Sequence, residues 1–135
     1  MPQTRQLLDT MTVSLEPQVR GETIAAAIDA MLECEEAVIA CGAAMVTEAN
    51  VSELQDAIVR DMNCADVLAV TRRVLTRGVD IALLSSQLEA CVMACEHSAE
   101  LCAKHAGHHE HCRMCSEATR RCAEACRQVL RGLHA

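Results

Sequence analysis

With 135 residues, a formal net charge of −7 and no Phe, Tyr or Trp, the chain is long enough to bury one core, built from Leu, Val, Ile, Ala, Met and Cys. The acidic balance excludes nucleic acid as the main partner, because such binding needs a basic footprint. Five Gly and two Pro are too few for a turn-rich β fold, and an Ala-rich, aromatic-free core suits closely packed helices.

The N-terminus, MPQTRQLLDTMTVSLEPQVR, carries no apolar run of signal-peptide length and no twin Arg. No later stretch is long and apolar enough to span a membrane, so a cytoplasmic protein without membrane contact is expected. Residues 3–11 are expected to form a short helix or arm bearing Leu7, Leu8 and Met11, set off by Pro17. A first long helix is predicted from Gln18 to Glu48, ending at Ala49-Asn50, with Ile24, Met31, Cys34, Val38, Cys41 and Met45 on one face. Ser52 with Gln55 three residues on resembles a capping box, which starts a second helix that carries Cys64 and runs to Arg77. Gly78 signals a turn; a third helix follows from Asp80 to Ala106, Gly107 breaks it, and a fourth runs from Glu110 to Leu133. Four helices with short links imply an all-α, antiparallel up-down-up-down four-helix bundle. The expected organisation is a single domain over 1–135, with an arm at 1–17 and the bundle at 18–133.

Seven of the ten cysteines fall in two stretches, CVMACEHSAELC (91–102) and CRMCSEATRRCAEAC (112–126). On the third helix Ile81, Leu84, Leu88, Cys91, Cys95, Ser98, Cys102 and His105 recur every three or four residues, as one inward face does. Cys112, Cys115, Thr119, Cys122, Cys126, Val129 and Leu133 do the same on the fourth. Facing residues of an antiparallel hairpin have numbers that add to a constant. One constant pairs Cys102 with Cys115, Cys95 with Cys122, Cys91 with Cys126, His105 with Cys112, Ser98 with Thr119, Leu88 with Val129 and Leu84 with Leu133. The result is a ladder of thiols confined to the half of the bundle near the connecting loop, roughly 16 Å long at about 1.5 Å per residue. Counted by depth from the loops, Cys34, Cys41 and Cys64 fall in the same zone.

Disulfides suit this pattern poorly. Residues i and i+4 on a helix hold their Cβ atoms about 5–6 Å apart, whereas a disulfide wants about 3.5–4.5 Å. Thiolates and thioethers select Cu(I), zinc and iron–sulfur clusters. Zinc would take Cys91, Cys95, Cys122 and Cys126 as one tetrahedral set, leaving six cysteines without a role. Iron–sulfur clusters favour loop spacings such as C-x₂-C-x₂-C, absent here. Cu(I) accepts two or three sulfurs and so tolerates an elongated ladder in which one thiolate serves more than one ion. Bare thiolates in an apolar core are costly, so the metal-free form is expected to hold neutral thiols and to release protons on loading.

The segment HAGHHEHC (105–112) lies at the mouth of this ladder. His105, His108, His109 and His111 could accept copper there and pass it inward, with Met45 offering a thioether. Ile81, Leu84 and Leu133 are expected to close the other end. Glu22, Asp29, Glu33, Glu35 and Glu36 of the first helix, and Arg113, Arg120, Arg121, Arg127 and Arg131 of the fourth, read as solvated faces with some pairing between adjacent helices. No Ser/His/Asp set or Gly-rich phosphate loop is present, and no Cys–His pair stands out as a nucleophile, so an enzyme is not expected.

These features together resemble the bacterial copper storage proteins: inward cysteines on a four-helix bundle, the C-x₃-C pairs Cys91/Cys95 and Cys122/Cys126, an aromatic-free core and a His-rich end. The resemblance runs from about residue 18 to 133 and is most specific over 91–126. Without a signal peptide, the chain is similar to the cytosolic branch. The resemblance implies storage of multiple Cu(I) ions by thiolates, an entrance at histidines 105–111, no catalysis and often a homotetramer, with a copper chaperone as a candidate delivery partner. One departure is that the first two long helices hold only Cys34, Cys41 and Cys64. The alternatives are a structural or buffering zinc–thiolate protein and a thiol-based redox or iron–sulfur protein.

Overall fold

The computed structural model describes residues 2–11, 15 and 18–134; Pro17, expected to set off the arm, lies outside them. Among the described residues the chain forms five α-helices and no strand: α1 (Pro2–Asp9), α2 (Gly21–Val46), α3 (Gln55–Arg77), α4 (Ile81–His105) and α5 (Glu110–Leu133). Helix α2 packs on α3 and α5, and α4 packs on the same two, which closes an antiparallel four-helix bundle. Helix α1 lies against α2, where Thr4 donates to Asp29 Oδ1 at 2.9 Å.

Each inward stripe alternates steps of three and four residues. Helix α3 buries Ala57, Asp61, Cys64, Leu68, Thr71 and Leu75; α4 buries Leu84, Leu88, Cys91, Cys95, Ser98 and Cys102. That period of about 3.5 keeps one seam facing the neighbours along the whole bundle. The α3 stripe is hard to see in the sequence because Asp61 and Thr71 hold two of its buried positions.

The helix ends refine the expected boundaries. Ser52 does not cap a helix: Val51–Glu53 is a 3₁₀ turn, and α3 begins at Gln55 after Leu54, which has no side-chain cap and is itself fully buried. Burial of Leu54 outweighs the capping signal at this corner. Asp80 caps α4, accepting from the Leu83 N–H at 3.0 Å. Gly78 ends α3 in the left-handed conformation (φ 65°), and its N–H bonds the Val74 carbonyl at 3.0 Å.

The apolar end is closed differently from expectation. Ile81 is 45% exposed, and Leu133 is only half-buried. Leu15 and Val19, which precede α2, are buried there with Leu75, Leu84 and Leu88. The close approach of that segment needs Gly132, where an added Cβ would lie 2.8 Å from Val19 and 2.9 Å from the Gln18 carbonyl. On the surface, Arg113 pairs with Glu110 and Glu117 within α5, and Arg127 reaches Glu96 of α4 at 2.7 Å. The acidic side chains of α2 pair elsewhere, Glu35 with Arg72 of α3 at 3.4 Å and Glu22 with Arg5 and Arg20.

Because only Gly adopts φ 65° without a Cβ penalty, Gly78→Ala is expected to destabilise the fold by about 1 kcal/mol. Denaturant unfolding followed by far-ultraviolet circular dichroism measures this; an unchanged midpoint would show that the turn relaxes freely.

Candidate metal centre

The stripes of all four long helices deliver their cysteines to one interior column. Helix α2 supplies Cys34 and Cys41, α3 Cys64, α4 Cys91, Cys95 and Cys102, and α5 Cys112, Cys115, Cys122 and Cys126. None is more than 1% exposed, and all ten are free thiols.

Deepest lie Cys91, Cys122 and Cys126, with the sulfurs of Cys91 and Cys126 3.8 Å apart. Next come Cys34, Cys95 and Cys122, with Cys64 Sγ 3.8 Å from Cys95 Sγ. Above them Cys41, Cys102 and Cys115 surround Asp61, and the Cys102 and Cys115 sulfurs are 3.5 Å apart. Near the mouth Cys41 and Cys112 sit 3.9 Å apart, and His111 Nδ1 is 3.4 Å from the first and 3.6 Å from the second. Within each cluster the candidate ligand atoms lie within 4.8 Å of one another. Cys122 belongs to two clusters, and so does Cys41.

Several of the expected pairings across the α4–α5 hairpin are found, and others give way to α2 and α3. Cys91, Cys95, Cys122 and Cys126 do not form one closed four: Cys95 joins Cys34 and Cys122, because α2 wedges Cys34 into that level. Cys112, expected opposite His105, has Cys41 and His111 as its neighbours. Ser98 and Thr119 are both buried on the inward faces, and their hydroxyls find other partners: Ser98 donates to Asp61 Oδ1 at 2.6 Å, and Thr119 donates to the carbonyls of Cys115 and Ser116. Among the histidines, His111 alone has its ring against thiols; His109 stacks on it, His105 is half-buried and His108 is exposed. Met45 is fully buried in the core.

Two residues of the site went unmarked in the sequence reading. Asp61 is 1% exposed; its Oδ1 accepts from Ser98 and from the thiols of Cys115 (3.5 Å) and Cys102 (3.6 Å). Its Oδ2 is buried with no hydrogen-bond partner, a costly arrangement for a carboxylate oxygen unless a proton or cation meets it. The available signal was its position one helical turn from Cys64 on the α3 stripe. The other is Glu48, whose Oε1 lies 3.0 Å from His111 Nε2 and 3.4 Å from His109 Nδ1.

Protons are unevenly held in this column. Burial pushes Asp61 up to about 7, helped by the nearby Cys102 sulfur and opposed by the Ser98 hydrogen bond. Cys102 is raised to about 11, first by its hydrogen bond with Cys115, and burial raises Cys112 to about 11. Cys115, on the accepting side of bonds from Cys102 and Cys41, is lowered to about 6, and Cys64, beside Cys34 and Cys95, to about 5. A sulfur that accepts S–H bonds gives up its own proton more readily than the donors around it.

Known proteins resemble this chain in sequence and in fold. The sequence profile of the copper storage protein family (Csp) matches residues 20–131. Among solved structures, the copper storage protein Ccsp from Streptomyces lividans loaded with 10 copper equivalents superposes with a TM-score of 0.92 at 40% identity, covering 96% of this chain and 98% of that one. A cytosolic copper storage protein from the same organism, with five coppers, gives 0.79 at 42% identity over 81% and 92%. The cysteine-rich protein YhjQ of Bacillus subtilis (strain 168) is 30% identical over 104 residues, 77% of this chain and 93% of its own length.

The raised Asp61 value makes a signed prediction. Between the ordinary carboxylate range and about 7 the folded state binds more protons than the unfolded chain, so this group's contribution to stability falls as pH rises from about 4 to about 7. Asp61→Asn should flatten that loss in reduced, metal-free protein, a difference of a few kcal/mol at most. Urea unfolding across this range tests it, and parallel profiles for the two proteins would refute the assignment.

Proposed function

The chain belongs to the copper storage protein family, and from that premise we propose that it stores or buffers multiple Cu(I) ions in the cytoplasm, on the thiolates of its ten cysteines and without turnover. The observation that carries this reading is the sharing of sulfurs along the column: its four thiol-bearing clusters form two pairs, one joined through Cys122 and one through Cys41. A soft ion that accepts two or three sulfurs can occupy neighbouring clusters with shared thiolates, whereas separate closed sites would need separate ligands.

Charge sets the expected capacity. One Cu(I) per thiolate leaves the column electroneutral, and further ions would place uncompensated positive charge in a low-dielectric core. Ten thiolates thus support a plateau of about ten ions, with the buried Asp61 carboxylate able to balance one more. His105, His108, His109 and His111 form the entrance in this reading, with His111 handing ions to Cys41 and Cys112; Met45 lies buried behind as a thioether. At the opposite end buried leucines deny ions an exit. The described residues contain no helix long and apolar enough to cross a membrane, which accords with a cytoplasmic store.

A homo-oligomer, a tetramer by family likeness, is supported by the apolar side chains left exposed on α2 and α3, among them Ile39 (53%), Val46 (58%) and Met62 (62%). Light scattering of the metal-free protein should report an assembly larger than the monomer. Zinc remains the second reading on one observation: Cys41, Asp61, Cys102 and Cys115 form a four-ligand S₃O set of the kind a tetrahedral ion takes.

Anaerobic titration of reduced protein with Cu(I) against a chromophoric chelator separates the readings. Storage predicts copper withheld up to a ratio near the thiol count, and a plateau at one or two ions would sink it. Protein must be quantified by thiol or amino-acid analysis, since the chain has no aromatic residue. Loading should release protons and weaken as pH falls, because Cys102 and Cys112, raised to about 11, must lose theirs to bind. Cys122→Ser, Cys41→Ser and Cys64→Ser each remove one thiolate and should each lower the plateau by about one ion, but the first two, whose sulfurs are shared by two clusters, should also release part of the remaining copper to the chelator more readily than Cys64→Ser does.

A further inference from the structure

The mouth of the thiol column carries a donor set of different chemistry. Glu48 lies in the turn after α2, and His109 and His111 flank the start of α5. Glu48 Oε1 is 3.0 Å from His111 Nε2 and 3.4 Å from His109 Nδ1, and the two rings stack with centroids 5.2 Å apart and planes 23° from parallel. A tetrahedral ion with nitrogen and oxygen ligands at about 2.0–2.1 Å holds its donors roughly 3.3 Å apart, so Glu48 Oε1 stands near ligand spacing from both nitrogens, and all three atoms lie within 4.8 Å of one another. Two imidazoles and a carboxylate suit divalent ions such as Zn²⁺, Co²⁺ or Ni²⁺, whereas Cu(I) is selected by the sulfurs below.

His111 belongs to both levels. Its Nε2 faces Glu48, and its Nδ1 faces Cys41 at 3.4 Å and Cys112 at 3.6 Å. A neutral imidazole carries one ring proton. A divalent ion on Nε2 leaves that proton on Nδ1, where it points at the two sulfurs and removes the nitrogen as a ligand for Cu(I). Cu(I) on Nδ1 puts the proton on Nε2, where it is donated to Glu48 and blocks the outer position. The exchange runs through solvent, one proton leaving one nitrogen as one is taken up by the other. His109 turns Nδ1 to Glu48, and its Nε2 is buried with no donor that would hold it as an acceptor.

We infer that Glu48, His109 and His111 form a divalent-cation site at the mouth, and that its occupancy competes through His111 with Cu(I) held at Cys41 and Cys112. The cation site stands on its own geometry; the competition rests on the Cu(I)-storage reading. By linkage, whatever factor the divalent ion takes from Cu(I) affinity at that level, Cu(I) takes from the divalent ion.

Co²⁺ is the probe, because its thiolate complexes show sulfur-to-metal charge transfer in the near ultraviolet and nitrogen–oxygen sites do not. Reduced, metal-free wild type, Glu48→Gln and His109→Ala are titrated anaerobically with Co²⁺. The expected result is a d–d absorption component without charge transfer in the wild type, weakened at least about tenfold in each variant. Prior loading with Cu(I) should suppress the same component. Superimposable titrations of all three proteins, or a wild type with thiolate-bound Co²⁺ alone, would overturn the site. Independent binding of Co²⁺ and Cu(I) would overturn the competition. The Cu(I) plateau measured without Co²⁺ reports the storage reading separately, so a failure of either can be told from a failure of the other.

Discussion

A thiolate is poorly tolerated in an apolar interior unless a cation or a hydrogen-bond donor meets it, and this bundle buries ten cysteines in one column. The rest of the structure follows from that constraint. Neutral thiols are small, weakly polar and cheap to bury, so the metal-free helices pack around them as around any aliphatic core. The same atoms, once deprotonated, need positive charge from inside the column. A fold that is comfortable with thiols and intolerant of bare thiolates therefore couples metal binding to proton release without any moving part.

The two ends of the bundle divide the work. Leu15, Val19, Leu75, Leu84 and Leu88 close one end with ordinary hydrophobic packing, which holds the helices together whether or not metal is bound. The other end has Glu48, His109 and His111 where aliphatic packing would otherwise be expected, so polarity is greatest where ions would pass. Asp61 is the exception to this division: a carboxylate deep among sulfurs, with one oxygen accepting three hydrogen bonds and the other accepting none. Its cost is tolerated in the metal-free fold by a raised proton affinity and by the Ser98 hydroxyl.

Shared residues give the column its character. Cys122 and Cys41 each face two clusters, and His111 presents one nitrogen to the sulfurs and the other to Glu48. The two lower levels are thus chemically linked, as are the upper levels with the mouth, and within each of these sets occupancy of one level changes the ligands left to the next. That property distinguishes an elongated store from a set of independent sites.

The sequence by itself determined the helices, their antiparallel order and the levels of the α4–α5 ladder, because a period of three and four residues and a constant sum of facing positions are geometric consequences of the helix. Cys102 with Cys115 and Cys91 with Cys126 could be paired on that basis alone. The tertiary structure alone decided how α2 and α3 enter the ladder, since the rotation of a helix about its own axis is set by packing and is not written in its spacing. It placed Cys34 between Cys95 and Cys122, brought Cys41 against Cys112 and turned Asp61 inward from a stripe whose polar members hid it. It also chose His111 from four histidines in one short segment, because the backbone path of the turn before α5 sets the rotation at which that helix starts, and no periodicity predicts it.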